Sequence, residues 1–320
     1  MNTKETVDWF ATVHSGTMYP KRKEELDRRL PFFEIVKNAY DRYDVVGYNY
    51  ERADNAPRMP YLTDYLKQNV LPFLEGGCDA TGCYPVQLHD SYTYLNDGLD
   101  YKDVFTFAKY KDDKGPVLLP DMYMIGNWGN AHKTIRDTTP WNDKKKAIVW
   151  KGTTTGKRVP KDNERIKMCL WALDKKDFCE FNITNVAQME PDKVLSQVPR
   201  FPEIYGKPMN QEEQMKYRYH LVMDGNTCSW NVWNFLTKSL VFKHKSREML
   251  WYYPLLRDKT HFVEVEKGTI ENAFRYYENN GTEAQWITCN ANRFSELVFD
   301  PYITQQYTIS LFENIAHNSR

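Results

Sequence analysis

The residue order predicts an α/β chain in two parts, the second of them a doubly wound, largely parallel sheet. Three observations carry this. From residue 147 onward, short apolar runs of strand length alternate with stretches whose apolar residues recur at helical spacing. Two of these runs lead into turns rich in glycine and hydroxyl residues and then into a helix start: residues 147–158 read A-I-V-W-K-G-T-T-T-G-K-R, and 217–223 run into Asp224-Gly225-Asn226-Thr227-Cys228-Ser229-Trp230. Third, 320 residues are enough for two domains of ordinary size.

In chain order, residues 21–43 set Leu26, Leu30, Phe33, Ile35, Val36 and Tyr40 among many charges, which predicts an amphipathic helix interrupted near Pro31. Residues 45–111 are rich in Tyr, Asp and Gly and predict a helix over 61–74 with short strands near 92–95 and 104–108. Val117-Leu118-Leu119 before Pro120-Asp121 reads as a short buried strand ending in a turn. The polar stretch 130–146 has no periodicity and marks the boundary, giving domains 1–140 and 141–300 with a terminal helix over 301–320 that packs back on the first domain. Beyond the boundary the pattern predicts strand 147–150, helix 163–173 on Ile166, Leu170 and Leu173, strand 181–186, a polar loop over 188–214, strand 217–223, helix 229–238, strand 240–244, helix 248–256 and strand 261–265. Sheets of this kind bind ligands beyond the carboxyl ends of their strands.

The 43 basic and 43 acidic side chains cancel, so no overall field favours nucleic acid or an anionic membrane. No run approaches the roughly 18 apolar residues of a membrane helix, and the first eight residues lack the apolar core of a signal peptide. These features point to a soluble, cytoplasmic protein with no transmembrane segment. Six cysteines form no paired C-x-x-C array, so reduced thiols are expected. Cys78 and Cys83 offer two zinc ligands, but no second pair closes a four-ligand site, and no metal is expected.

Small residues at a turn let backbone N–H groups approach an anion, and the positive end of the following helix holds it, so a diphosphate is the natural guest of both turns. The first turn is not a P-loop. Gly152 and Gly156 stand one residue too close, and Arg158 occupies the place of the magnesium-binding hydroxyl, which removes the basis for a kinase or ATPase of that type. The competing reading is that Thr153, Thr154 and Thr155 hydrogen-bond their own turn. In the second turn Ser229 is a suitable N-cap, while Trp233 and Phe235 read as core.

The second turn, followed by Lys238-Ser239-Leu240-Val241-Phe242-Lys243, Trp251-Tyr252-Tyr253-Pro254-Leu255-Leu256 and His261-Phe262-Val263-Glu264-Val265, resembles the C-terminal half of the glycosyltransferase family 90 domain. Trp150-Lys151-Gly152-Thr153-Thr154-Thr155-Gly156 with Arg165 resembles that family's W-R-G-[ST]-x-T-G loop and downstream arginine, and Phe105-Thr106-Phe107-Ala108-Lys109 and Leu118-Leu119-Pro120-Asp121 fit the segment before it. The ordered blocks span residues 85–270, and D-G-N-x-x-S-W is closest to the bacterial or viral style. Lys151 stands where the family usually has arginine, and Asn231 where eukaryotic members carry a diphosphate-binding arginine.

The resemblance implies a GT-B-like fold of two Rossmann-like lobes with a cleft between them, the first lobe taking the acceptor and the second a nucleotide sugar, normally UDP-linked. UDP-sugar is then a co-substrate, and no cofactor is implied. The donor site so implied comprises Lys151, Gly152, Thr153, Thr154, Thr155, Gly156, Arg158 and Arg165 from the first turn, and Asp224, Gly225, Asn226, Ser229 and Trp230 from the second. No D-x-D triplet occurs in the chain, so basic side chains, Lys157 among them, and helix amides are expected to neutralise the leaving group without a metal. Family enzymes invert the anomeric centre with an aspartate base, and Leu95-Asn96-Asp97-Gly98 is the matching segment. Asp97 is the candidate base, with the plain reading of Asn-Asp-Gly as a turn beside it. Asp90 and Asp121 are fallbacks, His89 and His132 remain open, and Tyr94 and Trp128 are the candidate acceptor platforms. The expected activity is inverting transfer of glucose or xylose from a UDP-sugar to a glycan or lipopolysaccharide-type acceptor. A catalytically impaired sugar-nucleotide-binding protein on the same fold is the alternative, and a nucleotide-dependent kinase a more distant one.

Overall fold

The computed structural model describes residues 7–8, 11–12, 18–27, 29–40, 42–51, 55–74, 78–91, 102–125, 134–227 and 229–318. In chain order the elements are strands β1 (Phe32–Lys37) and β2 (Tyr43–Tyr48), helix α1 (Arg58–Asn69), strands β3 (Gly82–Pro85), β4 (Phe105–Thr106), β5 (Lys109–Tyr110) and β6 (Val117–Leu118), and helix α2 (Met122–Ile125). Strand β7 (Lys145–Thr153), helix α3 (Glu164–Ala172) and strand β8 (Cys179–Asn185) come next, then short helices α4 (Pro191–Gln197), α5 (Phe201–Ile204) and α6 (Gln211–Gln214). Strand β9 (Tyr217–Val222), a 3₁₀ helix (Ser229–Leu236), strands β10 (Leu240–His244), β11 (Glu248–Met249) and β12 (Val263–Val265), and helices α7 (Ile270–Asn279), α8 (Gly281–Val298) and α9 (Pro301–Asn318) complete the chain. No helix among the described residues is long and apolar enough to cross a membrane.

The chain divides into two compact units, one of residues 1–130, 247–254 and 297–320 and the other of residues 131–246 and 255–296. In the first, β1 pairs antiparallel with β2 and β3. Its core is aromatic: Phe33 stacks on Tyr84 at 5.3 Å and on Phe105 at 5.8 Å, and Phe312 of α9 meets Tyr84 edge-on at 5.5 Å. Tyr307 of α9 donates a hydrogen bond to the Leu118 carbonyl at 2.7 Å.

The second unit holds a five-stranded sheet, order β12-β10-β9-β7-β8, in which every pairing is parallel. Its central strand β9 is buried along its whole length, on both faces, as a sheet covered on both sides requires. Ile148, Trp150, Tyr219, Leu221 and Phe242 pack with Ile166, Cys169, Phe274, Tyr277 and Ile287 of the helices, while Val222 and Val241 turn to Phe235, Phe262 and Ala291. A fully buried large apolar side chain contributes about 1.5–3 kcal/mol, so this two-sided core supports the unit without disulfides. A buried ion pair ties the N-terminal end of β7 to its neighbours. Lys144 Nζ lies 2.7 Å from Asp137 and also donates to the Met215 carbonyl and to Ser239 Oγ, while Asp137 accepts the Lys238 N–H.

Three expectations from the sequence are overturned. Within residues 21–43, where an amphipathic helix was expected, strand β1 forms instead: Phe33 and Ile35 are buried on a period of two, which pairing with β3 selects over the helical reading. Residues 248–256 are not a helix but strand β11, paired with β5, followed by a short 3₁₀ turn. The expected loop 188–214 contains α4, α5 and α6. Cys78 and Cys83 are buried, and among the described residues no group of three or more His, Cys, Asp and Glu side chains gathers to hold a metal.

Candidate functional site

The two glycine-bearing turns leave adjacent parallel strands, β7 and β9, at their carboxyl ends, so the sheet order itself brings them together. They are in contact. The Gly156 N–H donates to Asn226 Oδ1 at 3.2 Å, and a Cβ on Gly156 would stand 3.2 Å from the Gly225 carbonyl. Gly156 also has φ +105°, a backbone state that L side chains rarely adopt. At Gly225 a Cβ would lie 2.5 Å from Thr155 Oγ1 and 2.7 Å from Arg165 Nη2, so the second turn must be glycine here to let the first turn and Arg165 close on it.

Arg165, in the first turn of α3, is the strut between them. Its Nε donates to the Asp224 carbonyl at 2.9 Å, Nη2 to the Met223 carbonyl at 3.0 Å, and Nη1 to the Thr153 carbonyl at 3.1 Å and to Thr155 Oγ1 at 2.7 Å. The guanidinium lies 5.5 Å from the centroid of the Trp150 ring. The Trp150 ring fits there because Gly152 has no side chain, a Cβ at that position falling 2.6 Å from the indole. Burial pushes the Arg165 guanidinium down to about 10 and the Asp224 carboxylate opposes the fall, so it stays cationic at neutral pH.

Asn163 supports the first turn from beneath. As the N-cap of α3 its Oδ1 accepts the Ile166 N–H at 3.1 Å, and its Nδ2 donates to the carbonyls of Thr154, Thr155 and Lys157. Aiming those carbonyls at Asn163 turns the opposite, N–H, side of the peptides outward. The N–H groups of Thr155, Lys157 and Arg158 have no acceptor among the described residues. Lys157 and Arg158 are exposed and enter no ion pair among the described residues. In the second turn, the Thr227 hydroxyl is buried without a hydrogen-bond partner among the described residues, an unmet donor of the kind a ligand satisfies.

The other expected residues divide clearly. Thr154 is fully buried and locked to the exit of β8, its Oγ1 donating to the Ala187 carbonyl and accepting the Ala187 N–H, both at 2.8 Å. Lys151 directs its ammonium sideways to Asn182 Oδ1 at 2.5 Å and Glu180 at 3.4 Å on β8. Burial would raise the Glu180 carboxyl, but hydrogen bonds from Lys145 and Tyr217 and the charges of Lys151 and Lys145 hold it at about 2. Ser229 and Trp230 open the 3₁₀ helix after the second turn, and Asn231 follows in it; their side chains lie outside what is described. Asp97, Tyr94, Trp128 and His132 lie outside the described residues. Of the fallback groups, Asp90 is ion-paired to Arg58 at 2.6 Å, His89 meets Asn55 at 3.4 Å, and Asp121 Oδ1 accepts the Met124 N–H at 3.3 Å as a helix cap. Asn163 and Trp150 are participants that the expected donor residues did not include. For Asn163 the signal was present, an N-cap residue directly before Glu164 at a helix start.

The sequence profile of glycosyl transferase family 90 matches residues 116–319, more than half of the chain and both turns. The chain belongs to this family. An O-glucosyltransferase rumi homolog of Aedes aegypti is 24% identical over 177 residues, 54% of this chain and 41% of the mosquito protein, so the chain spans less than half the length of that curated relative. Among solved structures, Anabaena HepE in complex with UDP is similar over 52% of this chain and 48% of its own, with 13% identity and a TM-score of 0.34. The C-terminal domain of the glycosyl transferase group 1 family protein LpcC of Francisella tularensis is similar over 57% of this chain and 95% of its own, with 12% identity and a TM-score of 0.31.

Proposed function

We propose that the protein is an inverting, metal-independent glycosyltransferase of GT-B-like architecture that moves glucose or xylose from a UDP-sugar to a hydroxyl of a glycan or lipopolysaccharide-type acceptor. The observation that carries this reading is the interlocked pair of turns at the carboxyl ends of β7 and β9, with three unbonded amides and two exposed cations on the first of them. That is the equipment a diphosphate needs. Membership of family 90 supplies the reaction class.

In the proposed step the acceptor oxygen attacks the anomeric carbon of the sugar as its proton passes to the Asp97 carboxylate, and the bond from that carbon to the β-phosphate oxygen breaks. The negative charge arriving on UDP is met by the N–H groups of Thr155, Lys157 and Arg158 and by the Lys157 and Arg158 side chains. An ionised aspartate suits this role without a large pKa shift, because the hydroxyl becomes acidic only as its new bond forms. Thr153 and Gly152 shape the first turn, Asp224, Gly225 and Asn226 the second, with Ser229 and Trp230 at the following helix start. Tyr94 and Trp128 are proposed as acceptor platforms.

The test is turnover of a panel of UDP-sugars, with and without chelator, by the wild type and by Asp97→Asn. The reading expects chelator-insensitive hydrolysis or transfer by the wild type and at least a hundredfold loss in Asp97→Asn with UDP affinity retained. Nucleotide affinity without turnover in either form would favour the sugar-nucleotide-binding alternative, and chelator-sensitive turnover would remove metal independence.

A further inference from the structure

Lys243 has no role in the reading above, yet it is a cation buried beside the second turn. It is the penultimate residue of β10, in register with Val222 of β9, and is 6% exposed. Its Nζ lies 3.4 Å from Asp224 Oδ1, with the two side chains 7% and 21% exposed. A lysine held this far from water is costly unless its charge is used. On this turn a use exists. Asp224 places a carboxylate where the proposed site receives a diphosphate, and two like charges meeting in a partly desolvated turn repel strongly. Asp224 is therefore gripped twice, Arg165 Nε holding its backbone carbonyl and Lys243 its carboxylate.

We propose that Lys243 is a positioning residue of the donor site: it neutralises the Asp224 carboxylate and draws it toward β10, so that the second turn can accept a diphosphate. This rests on the donor reading above. Asp224 is then a structural acid of the turn whose charge is harmful to binding unless Lys243 cancels it. The pair is a charge-matched unit, and its members are expected to be replaceable together but not singly on the lysine side.

The test is titration of UDP, and separately of inorganic pyrophosphate, into the wild type, Lys243→Met, Asp224→Asn and the double variant, with thermal unfolding of each. Lys243→Met should bind UDP about 10–100-fold more weakly, because it takes the ammonium partner from a carboxylate beside the ligand. The double variant should return to within about threefold of the wild type, and Asp224→Asn alone should bind about threefold tighter or better, since it leaves Lys243 facing the phosphates. A double variant as weak as Lys243→Met, weakened binding in Asp224→Asn, or unchanged binding in Lys243→Met would each overturn the proposal. If Lys243→Met does not fold, Asp224→Asn decides alone, because it keeps the side-chain shape and only the sign of its effect matters. A wild type that binds neither probe removes the donor reading and this inference with it, whereas wild-type binding with the wrong variant pattern removes the inference alone.

Discussion

Replacing Arg165 tests whether the two turns form one unit. Arg165→Met keeps the aliphatic stem against Trp150 and removes four hydrogen bonds, three of them to backbone carbonyls and one to the Thr155 hydroxyl. A hydrogen bond from a charged donor contributes about 1.5–3 kcal/mol, but four on one guanidinium are not additive, and each carbonyl keeps a second lone pair for water. The expected net loss is about 3–5 kcal/mol, the range for stripping one side from a buried charged network. At about 2–4 °C per kcal/mol for a unit of this size, the melting temperature should fall on the order of 10 °C. Arg165→Lys keeps the charge but one ammonium cannot span both turns, so about half of that loss is expected. Calorimetric unfolding measures the stability, and UDP titration well below the transition measures the folded site, where both variants should bind at least tenfold more weakly. A melting temperature of Arg165→Met within about 2 °C of the wild type, with UDP affinity unchanged, would show that the turns hold their geometry without the strut.

Other substitutions probe the same unit from different sides. Gly225→Ala forces a methyl to 2.5 Å from Thr155 Oγ1 and 2.7 Å from Arg165 Nη2, and urea unfolding should show a loss of about 1–3 kcal/mol, as overpacking costs. His220 is fully buried between the Gln214 carbonyl and Asn234, and burial pushes it down to about 4. Since the unfolded chain takes up the proton near 6.5 and the folded chain only near 4, its contribution is complete above pH 6.5 and is lost as pH falls through that window. The loss is about 3 kcal/mol in all, and His220→Gln should flatten the slope of unfolding free energy between pH 6.5 and 4.5. Lys144→Met leaves Asp137 uncompensated in the interior and should cost about 3–5 kcal/mol, while Lys144→Met with Asp137→Asn should recover more than half of it in the same assay.

Much of the second unit was legible in the residue order because its signals are local. The apolar run at 147–150, the helical spacing of Ile166, Leu170 and Leu173, and the glycine-bearing turns after β7 and β9 each follow from a few neighbouring residues and the backbone states they permit. Residues 32–43 were misread as helix for the opposite reason. Phe33, Ile35 and Val36 satisfy either a helical or a strand period over so short a span, and the choice was made by β3, some fifty residues away. The segment 248–256 went the same way, since β11 exists only through its pairing with β5, over a hundred residues earlier in the chain.

Local pattern was enough to place the α/β class and the two glycine-bearing turns, and the motif blocks were enough for the resemblance to the family, because strand period, turn chemistry and helix capping are written within a dozen residues. Folding in three dimensions settled which groups remain available. It brought the turns into contact by making β7 and β9 neighbours, used Arg165 as a strut, and turned Lys151 toward Glu180 and Asn182. It also placed Lys243 against Asp224 across two strands. A side chain's charge is visible in the sequence, but whether that charge is already taken depends on partners that only the packed sheet delivers, and for that reason the motif residues were recognisable while their division of labour was not.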